Sequence, residues 1–157
     1  MENILKTGTV IHMDKSSRTI NSVSDFMRDN ECFMPEPISK CVDLKEWAEK
    51  LVSNGEVFAY MADDKLVGIA CGYINDLQSK KAYLQLLLVN GEYQKRGGGY
   101  TLIRCFSDCA KNRGFGFVQL TVDLCNENAI AFYIRQGFVK SEEEHPNKKK
   151  QYMILRI

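Results

Sequence analysis

The residues Gln94-Lys95-Arg96-Gly97-Gly98-Gly99-Tyr100 set two cations beside three consecutive glycines. They directly follow an apolar run, Tyr83-Leu84-Gln85-Leu86-Leu87-Leu88-Val89, and open a segment with helical periodicity that runs to about residue 112. A buried strand, a short polar turn and a glycine-rich helix entry together make an anion-binding device. The first amides of a helix have no internal acceptors, and the aligned peptide dipoles leave partial positive charge there. Glycines let a phosphate approach that backbone closely, and turn amides add to the cradle. Lys95 and Arg96 bring formal charge. The chemistry predicted for residues 94 to 100 is a grip on a phosphorylated cofactor.

Spacing separates the phosphate motifs. A dinucleotide fingerprint needs a third glycine three residues beyond Gly99, where Leu102 stands. A P-loop needs Gly-Lys followed by Ser or Thr, which occurs nowhere in the chain. What fits is Gln/Arg-x-x-Gly-x-Gly/Ala, with Gln94, Gly97 and Gly99 in register. That pattern resembles the acetyl-CoA pyrophosphate loop of the GNAT N-acetyltransferase superfamily. Upstream, Leu87-Leu88-Val89-Asn90-Gly91-Glu92-Tyr93 resembles the family's strand and turn. Downstream, Asn126-Glu127-Asn128-Ala129-Ile130-Ala131-Phe132-Tyr133 followed by Gln136-Gly137-Phe138 resembles its second signature. The likeness runs from about Val57 to about Phe138.

The resemblance implies an N-acetyltransferase that moves acetyl from acetyl-CoA to a primary amine by direct attack in a ternary complex. The acceptor it suggests is a small metabolite, such as an amino sugar, amino acid or polyamine, before a protein amine. A non-catalytic acyl-CoA-binding or sensing module and a nucleotide-binding regulatory protein are the competing readings. Acetyl transfer needs donors for a developing oxyanion, removal of the amine proton and protonation of the leaving thiolate. By resemblance, backbone amides around Leu87, Leu88 and Val89 supply thioester and pantetheine contacts. Gln94, Lys95, Arg96, Gly97, Gly98, Gly99 and Tyr100 hold the pyrophosphate. Tyr133 is the candidate general acid near the CoA sulfur. Asn126 is an N-cap by propensity and a pantetheine contact by resemblance.

No general base stands out. Many family members carry a carboxylate on the strand before the loop, at positions held here by Gln85 and Tyr83. Strand alternation puts residues 83, 85, 87 and 89 on one face, so Tyr83 and Gln85 become candidates for lining the acceptor pocket. His145, Asp123 and Glu31 are the bases to consider elsewhere. Phe26, Phe33, Trp47, Tyr73 and Tyr152 are aromatic candidates for the acceptor side, each more readily read as core, where aromatics at helical or strand spacing usually belong.

These residues need a scaffold, and the chain reads as one domain over 1–157. Helices are expected at 21–30, 43–53, 98–112 and from Asn126 to Arg135. Strands are expected at about 4–13, 57–62, 66–74, 81–89 and 117–123, with closing strands at 138–140 and 151–155. Asp63-Asp64-Lys65 marks a hairpin. The fold class is α/β (α+β), a mixed, mostly antiparallel sheet flanked by helices. The resemblance makes this the GNAT acyl-CoA N-acyltransferase fold, with strands 81–89 and 117–123 splayed. A net charge of +1 gives no argument for nucleic acid. No apolar run approaches the roughly 20 residues of a spanning helix, and the first residues do not read as a signal peptide. Six cysteines without a Cys-x-x-Cys pair, and only two histidines, argue against a metal site. They suggest reduced, mostly buried thiols in a cytoplasmic protein. The apolar stretch Tyr152-Met153-Ile154-Leu155 permits a homodimer through the closing strands.

Overall fold

The computed structural model describes residues 8–157. Strand β1 (Thr9–His12) is followed by helices α1 (Ser17–Asn30) and α2 (Leu44–Asn54). The part of the expected first strand at 4–7 lies outside the described residues. Then come β2 (Glu56–Ala62), β3 (Lys65–Tyr73), β4 (Lys81–Val89), α3 (Gly98–Asn112), β5 (Phe117–Asp123), α4 (Glu127–Arg135), β6 (Val139–Lys140) and β7 (Lys150–Arg156). Local chemistry accounts for the boundaries. Ser16 accepts from the Thr19 amide at the start of α1, Asp43 from Glu46 at α2, and Asn126 from Ala129 at α4. Asp63 and Asp64, at φ 52° and 59°, form a two-residue turn that returns Ala62 against Lys65.

The seven strands order as β1-β2-β3-β4-β5-β7-β6, antiparallel except for β4 against β5. That parallel pair holds only three rungs, Lys81–Phe117, Ala82–Val118 and Tyr83–Gln119. Beyond them β4 stays with β3 as far as Val89, and β5 stays with β7 as far as Asp123. The sheet therefore opens between the carboxyl ends of β4 and β5. β7 pairs with β5 along its whole length and with the two-residue β6 only at Met153 and Ile154, and β6 ends the sheet on this side.

Each face of the sheet carries its own core. On one, Leu102 and Phe106 of α3 pack with Tyr60, Leu84, Val118, Leu120 and Phe138, and α4 adds Ile130, Phe132 and Tyr133. On the other, Val23 and Met27 of α1 and Leu51 of α2 cover Ile69, Leu86 and Leu88. An ion-paired carboxylate pins the far end of α3. Glu56 at the start of β2 takes Arg113 Nη1 and His12 Nε2, both at 2.8 Å. Burial alone would raise the Glu56 carboxyl, but these two partners hold it below its usual value.

Strict alternation along β4 fails at one residue. Cys71 lies opposite Leu86 and Gly72 opposite Leu84, so Gln85 has no partner on β3. This bulge shifts the pleat by one residue. Ala82 and Leu84 pack on the α3 side, Leu86 and Leu88 on the α1–α2 side, and Leu87 and Val89 on the α3 side. Residues 83, 85, 87 and 89 therefore do not share a face, contrary to the alternation expected. The cysteines also differ from expectation. Only Cys71 is buried, Cys105 and Cys109 are half-buried, and Cys32, Cys41 and Cys125 are exposed.

The bulge fits because the residue facing it lacks a side chain. A Cβ on Gly72 would collide with the Tyr83 carbonyl oxygen and stand 2.8 Å from the Phe106 ring. Gly72→Ala should cost about 1–3 kcal/mol through overpacking. Gly116→Ala, whose Cβ would meet nothing within 4 Å, should stay within about 0.5 kcal/mol of the parent. Urea midpoints of the two variants, compared at unchanged slope, check the difference.

Candidate functional site

The loop after β4 is shaped by backbone twists and one side chain. The Gln94 carboxamide turns back and donates Nε2–H to the Val89 carbonyl at 2.9 Å, tying the loop to the strand end. Lys95 and Gly97 adopt left-handed conformations, φ 62° and 84°, on either side of Arg96. Such alternation turns successive amides toward one concave side. Arg96 lies 5.2 Å over the Tyr93 ring. Neither Lys95 nor Arg96 forms an ion pair among the described residues.

Helix α3 begins differently from α1, α2 and α4. Gly97 is its N-cap and supplies no side-chain acceptor. The first intrahelical bond runs from Thr101 N–H to the Gly97 carbonyl at 3.0 Å, which leaves the amides of Gly98, Gly99 and Tyr100 without intrahelical acceptors. The three glycines do different work. A Cβ on Gly97 would meet nothing within 4 Å, so open space lies over the cap. One on Gly98 would stand 2.7 Å from the Tyr60 ring, and one on Gly99 3.0 Å from the Phe132 ring. Gly98 seats α3 on the sheet and Gly99 lets α4 approach, while the space over Gly97 is open. Tyr100 is exposed, its hydroxyl taking Arg104 Nη1 at 2.8 Å.

Through the Gly99–Phe132 contact, α4 stands beside this loop on the same face of the sheet. The next residue, Tyr133, packs edge-on between Phe132 and Phe138, with ring centroids 5.5 Å from each. Its hydroxyl has no hydrogen-bond partner among the described residues. Burial pushes the phenol up to about 12, so at neutral pH it keeps its proton. An uncapped helix start, uncompensated cations, a splayed strand pair and an unpartnered neutral phenol meet at one end of the sheet. The set has the chemistry for a phosphate-bearing thioester: amides for the anion, unpaired strand edges for an amide-containing arm, and a proton for a leaving sulfur.

The family model described as "Acetyltransferase (GNAT) family" matches residues 23–138 of this chain. The chain belongs to the GNAT acetyltransferases. Among relatives of this GNAT chain, an uncharacterized N-acetyltransferase of Methanocaldococcus jannaschii is 32% identical over 90 residues. That match covers 57% of the chain and 37% of the relative, so the chain spans little more than a third of that protein's length. N-alpha-acetyltransferase 30 of Schizosaccharomyces pombe is 28% identical over 114 residues, 68% of the chain and 71% of the relative. Aminoglycoside 6'-acetyltransferase type Ii superposes with a TM-score of 0.77 at 19% identity, covering 94% of this chain and 96% of that one. The PaiA N-acetyltransferase of Thermoplasma acidophilum, solved in complex with coenzyme A, gives 0.72 at 15% identity, covering 96% and 99%. These superpositions establish the GNAT fold.

The other face of this GNAT sheet collects a second group of residues. At the last β4–β5 rung the Tyr83 hydroxyl meets Thr121 Oγ1 at 2.7 Å across the strand gap. Burial raises the Tyr83 phenol, although its bond to Thr121 pulls the other way. Tyr73, Tyr83 and Tyr152 line a cavity of about 380 Å³ together with Gln119. Gln85, exposed at the bulge, does not line it. Phe26 is core, Trp47 packs on the α1–α2 cluster, and Phe33 is exposed against Gly91. Of the base candidates, Glu31 is tied to Ser39 and Asp123 lies 3.8 Å from Lys150. His145 accepts from the Asn147 amide through Nδ1, with its ring centroid 4.6 Å from that of Tyr152. Gln119 and Thr121 were not visible as site residues in the sequence. They alternate with Val118, Leu120 and Val122, the pattern of an ordinary half-solvated strand.

The raised phenol of Tyr133 has a stability consequence. The folded chain keeps a proton up to about pH 12 that the unfolded chain releases from about pH 10. Folding stability is therefore lost as pH rises between those values, at no more than about 1.4 kcal/mol per pH unit. Tyr133→Phe should flatten that decline relative to the parent, read as urea midpoints from pH 9 to 11.5. Parallel declines would mean that the phenol is solvated.

Proposed function

We propose that this protein is an acetyl-CoA-dependent N-acetyltransferase acting on a primary amine of a small metabolite by direct attack in a ternary complex. The observation that carries the reading is the uncapped, glycine-lined start of α3 opening beside the parted ends of β4 and β5. The residues present fit acetyl-CoA. The amides of Gly98, Gly99 and Tyr100, with Lys95 and Arg96, suit its pyrophosphate. The unpaired edges of β4 and β5 suit its pantetheine amides, with Asn126 at the start of α4 nearby. Acetyl-CoA would supply an activated thioester carbonyl.

The chain's own groups then do three things. Backbone amides near Leu87, Leu88 and Val89 donate to the carbonyl oxygen as it gains charge. The Gln119–Tyr83 side of the sheet orients the amine. As the amine nitrogen bonds the acetyl carbon and the C–S bond breaks, its electron pair goes to sulfur, which takes the Tyr133 proton. The surplus amine proton leaves to solvent, since β4 carries no carboxylate at residues 83 or 85. Six thiols without a disulfide support a reducing, cytoplasmic setting. Because N-alpha-acetyltransferase 30 is among the relatives, a protein N-terminus is the second acceptor class to assay.

Gly97→Val adds bulk where space is open and strains a left-handed residue. Loss of one or two charge-assisted hydrogen bonds, roughly 1.5–3 kcal/mol each, weakens acetyl-CoA binding about tenfold to several-hundredfold. Unchanged affinity by calorimetry, in a variant that still folds, would move the cofactor site elsewhere. Tyr133→Phe keeps the ring packing and removes the proton donor. Single-turnover acetyl transfer at saturating acetyl-CoA should slow about 10²- to 10⁴-fold, with affinity little altered. Equal rates in that assay would remove Tyr133 from the mechanism.

A further inference from the structure

We infer that Asn30, the last residue of α1, is a positioning residue for the cofactor loop and acts through Asn90, an inference that rests on the acetyl-CoA reading above. Asn30 interrupts an apolar face. Val23, Phe26 and Met27 pack beside it in the core on that side of the sheet, and Asn30 is itself only 5% exposed. Its Nδ2 donates to the Phe26 carbonyl at 2.8 Å, and its Oδ1 accepts from Asn90 Nδ2 at 2.7 Å. Sixty residues separate the pair. No other hydrogen bond joins α1 or α2 to residues 90–97 among the described residues.

Neither carboxamide can be turned over. A carbonyl only accepts, so the Asn30 group on Phe26 is the NH₂, and its oxygen is left facing Asn90. The Glu92 N–H only donates, so the Asn90 group that takes it, at 3.0 Å, is the oxygen. The Asn90 NH₂ is left facing Asn30. Backbone groups at both ends thus set a donor against an acceptor. Closing the end of α1 would need only the Phe26 bond; the bond to Asn90 serves the loop.

Asn90 is where β4 ends and the loop begins. All four of its polar groups are engaged. Besides the two carboxamide bonds, its N–H donates to the Val67 carbonyl at 2.8 Å and its carbonyl accepts from the Tyr93 amide at 2.9 Å. A residue so held fixes the direction in which the chain leaves the strand. Phe33, three residues beyond Asn30, adds a steric stop, since a Cβ on Gly91 would stand 2.4 Å from its ring. The loop beyond is tied as well: the Tyr93 hydroxyl donates to Asp63 at 3.1 Å, and Gln94 returns to Val89. A shift at Asn90 is therefore carried on toward Lys95, Arg96 and the free amides of α3. A fully satisfied polar pair in a buried setting specifies one arrangement, and here that arrangement is the loop's.

Calorimetry of acetyl-CoA binding to the full chain tests this without an acceptor. Asn30→Leu keeps the branched shape and removes both polar atoms. Asn90→Ser keeps an oxygen for the Glu92 amide but loses the reach to Asn30. Each should weaken acetyl-CoA binding about three- to tenfold. The double variant should weaken it no more than the stronger single, because both break the same bond. Val23→Ala, about two turns earlier in α1 and without a polar atom in its side chain, is the control for lost stability. It should lower the urea midpoint and leave the acetyl-CoA Kd in place. Unchanged affinity in both single variants would overturn the inference. So would losses that multiply in the double variant, or a loss in Val23→Ala as large as that in Asn30→Leu. Should Asn30→Leu fail to fold, Asn90→Ser against Val23→Ala decides on the same terms. If wild type does not bind acetyl-CoA, the acetyltransferase reading falls and this inference falls with it.

Discussion

The site depends on hydrogen bonds that β4 and β5 do not make to each other. Two parallel strands that stayed paired along their whole length would leave no unsatisfied backbone between them. Here pairing stops at Tyr83–Gln119, while each strand remains anchored on its outer side. Open strand edges are costly inside a protein unless water or a ligand satisfies them. The three rungs hold the parted edges at a fixed separation, and the Tyr83–Thr121 bond fastens the vertex. The gap is a slot whose edges carry backbone donors and acceptors not used between β4 and β5.

The bulge at Gln85 divides labour between the two faces of the slot. By shifting the pleat, it lets Leu84 and Leu87 both pack under α3 while Leu86 and Leu88 pack under α1 and α2. A strand so buried on both sides lacks freedom to slide, so the carbonyls and amides along the open edge of β4 are held firmly. The glycine loop and Tyr133 then sit on the α3–α4 side, and the tyrosine-lined cavity opens on the other.

Much of this was readable in the sequence, for identifiable reasons. Asn126 is a strong cap, Asp63-Asp64 suits a tight turn, and the apolar stripe of α3 is unambiguous, so α2, α3 and α4 fall within a residue of their expected bounds, whereas α1 starts at Ser17, four residues before its expected start, behind the Ser16 cap. The glycine loop is legible from its own residues and Tyr133 from the resemblance, and the structure brings them to one end of the sheet. What stayed hidden is what adjacent residues cannot encode. In Leu86-Leu87-Leu88 every position is apolar, so the run carries no record of the pleat shift. The roles of Gly98 and Gly99 are set by Tyr60 and Phe132, each more than 30 residues away. Gln119 looks like a surface residue until β7 and the loop before it close over one side.

The narrowness of the β4–β5 junction also bears on how the molecule comes apart. Strands β1 to β4 form one antiparallel block and β5, β7 and β6 another, and in the sheet only the three parallel rungs join them. The α3 side chains under both blocks supply the remaining mortar. Such a seam divides a chain into cooperative subunits of unequal opening free energy, with the shorter carboxyl-terminal block the natural first to detach. A molecule bridging both strand edges would weld the two blocks, raising the sub-global opening free energy more than it protects the interior of either block.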